Sequence, residues 1–233
     1  MAAGEGSRLR PLTDRWPKPI LPIDGRPVIA TLLRELVQAG VQRAFVVTGH
    51  LAEQVEELVG DGSGFGLEIV TARQPGVLGS ADVVQRALAA GAAPPFLVAG
   101  ADTVFTPGDV ARFAAAARGT AGSIAYRVGP GTHPLRVVDG RVERVLDDDP
   151  ANPRTGAPLW RFGRELVPFL EGLGGPPYEL AHAFQRGIDA GLAIAAIEIG
   201  TTRDLTHPAD VVERNFPYLR AGSSGSRGRA GSP

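Results

Sequence analysis

The sequence predicts an α/β protein built on a doubly wound, mostly parallel sheet with a small antiparallel subregion. Three observations carry that expectation. Helical stretches alternate with short strands at the spacing of βα units, which favours parallel pairing. The strands read as short continuous apolar runs, the pattern of strands covered on both faces. After about Gly119 the pattern breaks into brief strands separated by Gly, Pro and Asp, which marks an antiparallel excursion.

The elements follow in order. Pro27 opens a helix in which Ile29, Leu32, Leu33, Leu36 and Val37 fall on one face, and Gly40 closes it. AFVVTG (44–49) is a strand, 50–59 a helix, 67–72 a strand, 80–90 a helix and FLVA (96–99) a strand. SIAYRV, RVV and RVERVL supply the antiparallel strands. Helices return at 163–170 and 179–190, AIAAIEIG (193–200) is a strand, and a last helix runs over 206–214 with Thr206 as its cap. One domain therefore spans 1–219, divided near 118 into two halves, with the last folded element ending near Tyr218–Leu219. Residues 220–233, with no apolar side chain beyond alanine after residue 220, read as a disordered tail.

Composition bounds the function. The chain has 233 residues, 43% hydrophobic and 21% charged, enough for one sizeable core. A net charge of −1 without a basic block argues against a nucleic-acid partner. The absence of cysteine removes disulfides and thiolate metal sites. No signal peptide and no long apolar run is present, so the expectation is a cytoplasmic protein with no membrane partner, as a monomer or homo-oligomer.

The most informative segment is MAAGEGSRLRPLTDRWPKP. Gly4 and Gly6 let a backbone turn and approach a ligand closely, with Arg8 and Arg10 behind them, as a phosphate cradle requires. Lys18 is the only lysine in the chain, every other basic residue being arginine. That position selects a compact point charge over a planar fork. Leu9 stands where a dinucleotide fingerprint needs its third glycine, and no G-K-[ST] follows, so neither a dinucleotide nor a Walker A loop fits. Only Met1, Ala2 and Ala3 precede the loop, whereas such loops follow a buried strand. The expectation is that a strand of five or so apolar residues belongs ahead of Met1. The chain as written should then be poorly soluble or inactive, and an extended one should not.

Residues 2–19 resemble the pattern A-A-G-x-G-x-R-L-x-P-x-T…K-P of the sugar-phosphate nucleotidyltransferases of the glucose-1-phosphate thymidylyltransferase type, whose fold is Rossmann-like and glycosyltransferase-A-like. The resemblance implies transfer of a nucleotidyl group from an NTP, dTTP or UTP, to a sugar 1-phosphate, with Mg²⁺ as cofactor. It implies a nucleotide-binding half over 1–118 and a sugar-phosphate half over 119–219. Ala2, Ala3, Gly4 and Gly6 would cradle the nucleotide, Arg8 the departing phosphates and Lys18 the α-phosphate. QPGVLGSADVV resembles the base-reading segment, with Gln74 and Gly79 in the reading positions. FLVAGADTVF resembles the strand end whose aspartate binds the metal, here Asp102, although Ala101 stands where glycine is usual. EIGTTRDL resembles D-x-G-T-x-x-D-L, so Glu198 takes the place of the second metal ligand.

The sugar side departs from the pattern. LDDDPANP replaces E-E-K-P, which leaves Asp147, Asp148 or Asp149 for hydroxyls and no lysine for the sugar phosphate. Arg136, Arg144, Arg154 and Arg161 are the candidate substitutes. Glu179 is either a sugar-contacting acid or a helix-start glutamate. Two further readings stay open: a cytidylyl- or guanylyltransferase acting on another phosphorylated small molecule, and a catalytically weak sensor of nucleotide sugars.

Overall fold

The computed structural model describes residues 1–149 and 151–216; the expected end of the fold near Leu219 and the expected tail lie outside the described residues. The phosphate-loop segment contains three short 3-10 turns, at Ser7–Leu9, Leu12–Asp14 and Lys18–Ile20. A two-stranded hairpin, β1 (Pro22–Ile23) and β2 (Arg26–Pro27), then leads into α1 (Val28–Gln38). Next come β3 (Arg43–Thr48), α2 (Ala52–Val59), β4 (Glu68–Arg73), α3 (Ser80–Ala89) and β5 (Phe96–Ala99). β6 (Thr103–Phe105) and α4 (Asp109–Ala116) follow, neither of which the sequence reading anticipated. α4 is alanine-rich, so its apolar periodicity is faint.

The second half contains β7 (Gly122–Val128), β8 (Leu135–Val138), β9 (Arg141–Val145) and β10 (Arg154–Phe162). A 3-10 stretch, Arg164–Leu170, replaces the expected helix there. Pro168 lies inside it and cannot donate an i→i−4 hydrogen bond. α5 (Leu180–Asp189), β11 (Ile194–Glu198), β12 (Thr202–Asp204) and α6 (Pro208–Asn215) complete the described chain. Thr206 does not cap α6 with its side chain. Instead Asp210 Oδ2 accepts the backbone N–H groups of Thr206 and His207, each at 2.7 Å.

The sheet system is mixed. Six strands run in the order β5-β10-β7-β11-β9-β8, with β7 and β11 parallel and the other neighbours antiparallel. β3 and β4 form a separate parallel pair, and β6 pairs antiparallel with β12. β10 escaped the sequence reading because Gly156 and Pro158 break its alternation. In the structure the register with β7 shifts between Gly156 and Trp160, the place where a strand tolerates proline.

Two apolar clusters hold the halves together. Ile29, Leu32 and Leu33 of α1 pack with Val46, Val110 and Phe113. Phe162, Leu166, Leu180, Phe184 and Ile194 are fully buried in the second cluster. Phe162 stacks on Phe96 at 5.5 Å and meets Phe184 edge-on at 6.2 Å. Each of these side chains contributes about 1.5–3 kcal/mol by leaving water. Together they fix the strand ends from which the site is built.

Candidate functional site

The glycine-rich loop starts at the sheet. The Ala2 N–H donates to Val47 O and the Ala101 N–H to Met1 O, both at 2.8 Å, so residues 1–2 lie between the ends of β3 and β5. Gly6 adopts a left-handed conformation (φ 63°), and a Cβ there would meet Thr13 Cγ2 at 3.0 Å. Thr13 is fully buried; its hydroxyl donates to Gly6 O at 3.0 Å and its carbonyl accepts from His50 Nε2 at 2.6 Å. Buried Leu9 anchors the turn from below. The threonine and leucine of the motif are thus the loop's supports, while its glycines, Arg8 and Lys18 face the cavity; Arg10, expected behind the cradle, lines neither cavity described below and pairs instead with Glu5 and Asp14.

Lys18 and Asp102 meet at the loop's far wall. Lys18 Nζ donates to Asp102 Oδ2 at 2.7 Å; the lysine side chain is 13% exposed and the aspartate 39%. A charge-assisted bond with one partner largely withdrawn from water holds the ammonium in place. Asp102 follows β5 at its C-terminal end, where open α/β sheets present ligand-binding groups.

Two cavities open on this pair. One, of about 500 Å³, is lined by Ala2, Ala3, Gly4, Gly6, Arg8, Lys18, Gln74, Gly79, Asp102 and Glu179 among others. Every residue assigned from sequence to the nucleotide is therefore brought together there. The other, of about 330 Å³, carries Arg127, His133, Trp160 and Asp204. Arg8, Lys18, Asp102 and Pro158 line both, so these three charged side chains stand in the wall between two compartments.

Hydrogen bonds tie down the Gln74–Gly79 segment. Gln74 is buried and its Nε2 donates to Gly79 O at 3.0 Å and to Asp82 Oδ2 at 2.8 Å. Gly79 has φ 92°, and a Cβ would strike the Tyr178 backbone. The same backbone takes the Ala81 N–H and gives its own N–H to Leu78. Ser80 Oγ accepts from Leu180 N–H at 2.8 Å and donates to Glu179 Oε2 at 2.6 Å, so Glu179 starts α5 with its carboxylate on the wall of the larger cavity.

Three expected acids lie elsewhere. Glu198 lines neither cavity; its carboxylate accepts from Tyr126 OH at 3.2 Å, and burial together with that carboxylate raises the Tyr126 phenol above its ordinary range. Asp148 and Asp149 are exposed and also outside both cavities, because Asp147 turns inward and orders the loop around itself. Asp147 is buried against Arg136 at 2.7 Å and Asn152 at 2.9 Å. Burial alone would raise its carboxyl, but these donors hold it below the usual carboxylate range.

The arginines sort in the same way. Arg136 is committed to Asp147, Arg161 donates to Thr120 O, and Arg154 lies beside Tyr126. Arg144 is exposed opposite Arg136 in the β8–β9 ladder. None of the four lines either of these two cavities, whereas Arg127, absent from the sequence expectation, lines the smaller. Asp204 was likewise missed. Its pairing with Thr103, next to Asp102, brings it to the smaller cavity. The only signal was that it is the second acid of EIGTTRDL.

A glycine-cradled loop, a lysine clamped by an aspartate and two joined cavities at the strand ends define a nucleotide-handling α/β protein. The MobA-like NTP transferase domain model matches residues 1–211, and the chain belongs to that family. An N-acetylmuramate alpha-1-phosphate uridylyltransferase of Neisseria meningitidis serogroup B is 40% identical over 105 residues, 45% of this chain and 46% of that protein. A glucose-1-phosphate thymidylyltransferase of Streptomyces antibioticus is 29% identical over 232 residues, 94% of this chain and 65% of that protein. The matched stretches thus cover about half to two thirds of these relatives' own lengths. The solved inositol-1-phosphate CTP transferase of T. maritima superposes with a TM-score of 0.78 at 18% identity, covering 99% of this chain and 96% of that one, a likeness of fold.

Proposed function

We propose that this chain is a nucleotidyltransferase that joins an NTP, UTP or dTTP, to a sugar 1-phosphate and releases pyrophosphate. The observation that carries the reading is the shared wall of Arg8, Lys18 and Asp102 between a nucleotide-sized and a smaller cavity. A group-transfer enzyme needs that arrangement, because both substrates must reach the same charges from opposite sides. The acceptor phosphate oxygen attacks the α-phosphorus; the new O–P bond forms as the bond to the β-phosphate oxygen breaks. A phosphomonoester has its second pKa near 6, so the nucleophile is ionised at neutral pH and needs no general base. Catalysis then rests on positioning and charge. Lys18, held by Asp102, neutralises the α-phosphate, and Arg8 receives the leaving pyrophosphate. In the smaller cavity Arg127 takes the acceptor phosphate, the task left open by the missing lysine.

Magnesium fits the donor set. Asp102 and Asp204 offer hard carboxylate oxygens in one cavity, and a magnesium site of this type is completed by substrate phosphates. The motif nominates Glu198 as Asp102's partner, and cavity sharing nominates Asp204. When bound, the ion would neutralise charge on the reacting phosphates. The test is pyrophosphate release from an NTP panel with sugar 1-phosphates as acceptors. Asp102→Ala should abolish the magnesium-dependent signal while the chain stays folded by circular dichroism; unchanged turnover would overturn the assignment.

A further inference from the structure

Gln74 follows β4 into the wall of the larger cavity, and its partners decide which way its amide faces. Its Nε2 donates to Gly79 O at 3.0 Å and to Asp82 Oδ2 at 2.8 Å, two atoms that only accept. The nitrogen is therefore turned inwards and the oxygen is left to the cavity. Among the described residues Oε1 takes no hydrogen bond, yet it is not a buried orphan, a place held by Asp109 Oδ1 alone. The Gly79 N–H, on the same cavity, also has no partner among the described residues.

Asp82 is itself held. Arg86, one turn further along α3, donates from Nε to Asp82 Oδ2 at 2.6 Å and from Nη2 to Oδ1 at 3.3 Å. Its Nη1 reaches the carbonyl of Arg73, the residue before Gln74, at 3.1 Å. The Asp82 side chain is 13% exposed and lies in the first turn of α3, where an acid is favoured in any case. The bond to Gln74 and the arginine fork behind it are what a helix-start role does not require.

The cationic side chains of the larger cavity, Arg8 and Lys18, stand on the loop segment. A nucleotide whose phosphates meet them leaves its base to the rest of the lining, where Gln74 carries the only side-chain amide among the described residues. An accepting oxygen beside a donating N–H complements a base edge with a protonated ring nitrogen next to a carbonyl, as in uracil and thymine. Cytosine offers the inverse there, an unprotonated ring nitrogen and an amino group. It would set acceptor against acceptor and donor against donor.

We propose that Asp82 is a specificity-determining positioning residue. By holding the Gln74 nitrogen away from the cavity, it makes the site select an NTP whose base carries a protonated ring nitrogen beside a carbonyl, and refuse cytosine. The inference rests on the reading that the larger cavity takes the nucleotide.

Two measurements on the full chain test it, one of them without nucleotide. In the free chain the Gln74 side-chain NH2 should exchange slowly with water by ¹⁵N NMR, and Asp82→Ala should speed that exchange about tenfold, the weight of one charge-assisted hydrogen bond. In equilibrium binding, Asp82→Ala should lower the preference for UTP over CTP by about tenfold as well, while Asp82→Asn, which keeps an accepting oxygen, should retain most of it. Arg86→Ala loosens Asp82 without touching Gln74 and should move the ratio the same way, which gives the answer even where Asp82→Ala does not fold. An acid that merely starts α3 would lower melting when replaced and leave the UTP-to-CTP ratio unchanged, and that result would overturn the proposal. So would fast exchange of the Gln74 NH2 in the unaltered chain, or an unaltered chain that prefers CTP. Slow Gln74 exchange in a chain that binds neither nucleotide would overturn the reading of the cavity, and the proposal with it.

Discussion

The two cavities that share Lys18 and Asp102 are built in different ways. The larger is lined by backbone and small residues, Ala2, Ala3, Gly4, Gly6 and Gly79, held by a few buried supports such as Thr13. The smaller carries longer side chains, Arg127 from β7, His133 from the loop that follows it and Trp160 from β10. On the proposed function, backbone recognition suits the triphosphate common to every nucleotide, and side-chain recognition suits the acceptor, which would make one compartment generic and the other particular.

Experiments can break that contrast, beginning with the shared wall. Removing the lysine's charge should affect both compartments at once: Lys18→Ala should lower kcat by about 10²–10³ with melting little changed, measured by pyrophosphate release. Lys18→Arg should recover little of it, because a planar fork cannot replace a point charge clamped by one carboxylate oxygen. Arg127→Ala should separate the compartments. The KM for the acceptor should rise about 10- to 100-fold while the KM for the NTP holds, as expected for one charge-assisted contact. A rise in both KM values would show that Arg127 serves the nucleotide.

The smallest effect separates the two candidate metal partners. Asp204→Asn should raise the magnesium concentration needed for half-maximal rate. Glu198→Gln should leave it within about twofold and alter mainly the Tyr126 titration; the opposite result would restore the motif's choice.

How much of this was legible in the sequence follows the same divide. That Gly6, Lys18, Gln74, Gly79 and Asp102 share one cavity was legible, because they lie in short motifs whose spacing follows local chain geometry. Arg127 and Asp204 were not. They reach the cavity through the β7–β10 register and the β6–β12 pairing, which no local pattern announces. Asp147 competes with its neighbours for the interior, and only the structure shows that it wins, leaving Asp148 and Asp149 in water. The strand 154–162 and the helix 109–116 were hidden by Gly156, Pro158 and a run of alanines, where composition masks periodicity.

Pro158 stands at the break in β10's register and lines both cavities, and its carbonyl takes the Gly100 N–H at 2.8 Å. A Cβ on Gly100 would lie 2.9 Å from the proline ring and 3.1 Å from Asp102 Oδ1. β10 and the Asp102 carboxylate are thus geared together with no slack at one glycine. Retooling the acceptor pocket by sliding β10 would drag the shared aspartate with it. On the proposed function, new acceptor preferences are cheapest to acquire through the tips of Arg127, His133 and Trp160, with Pro158 left as the fixed party wall.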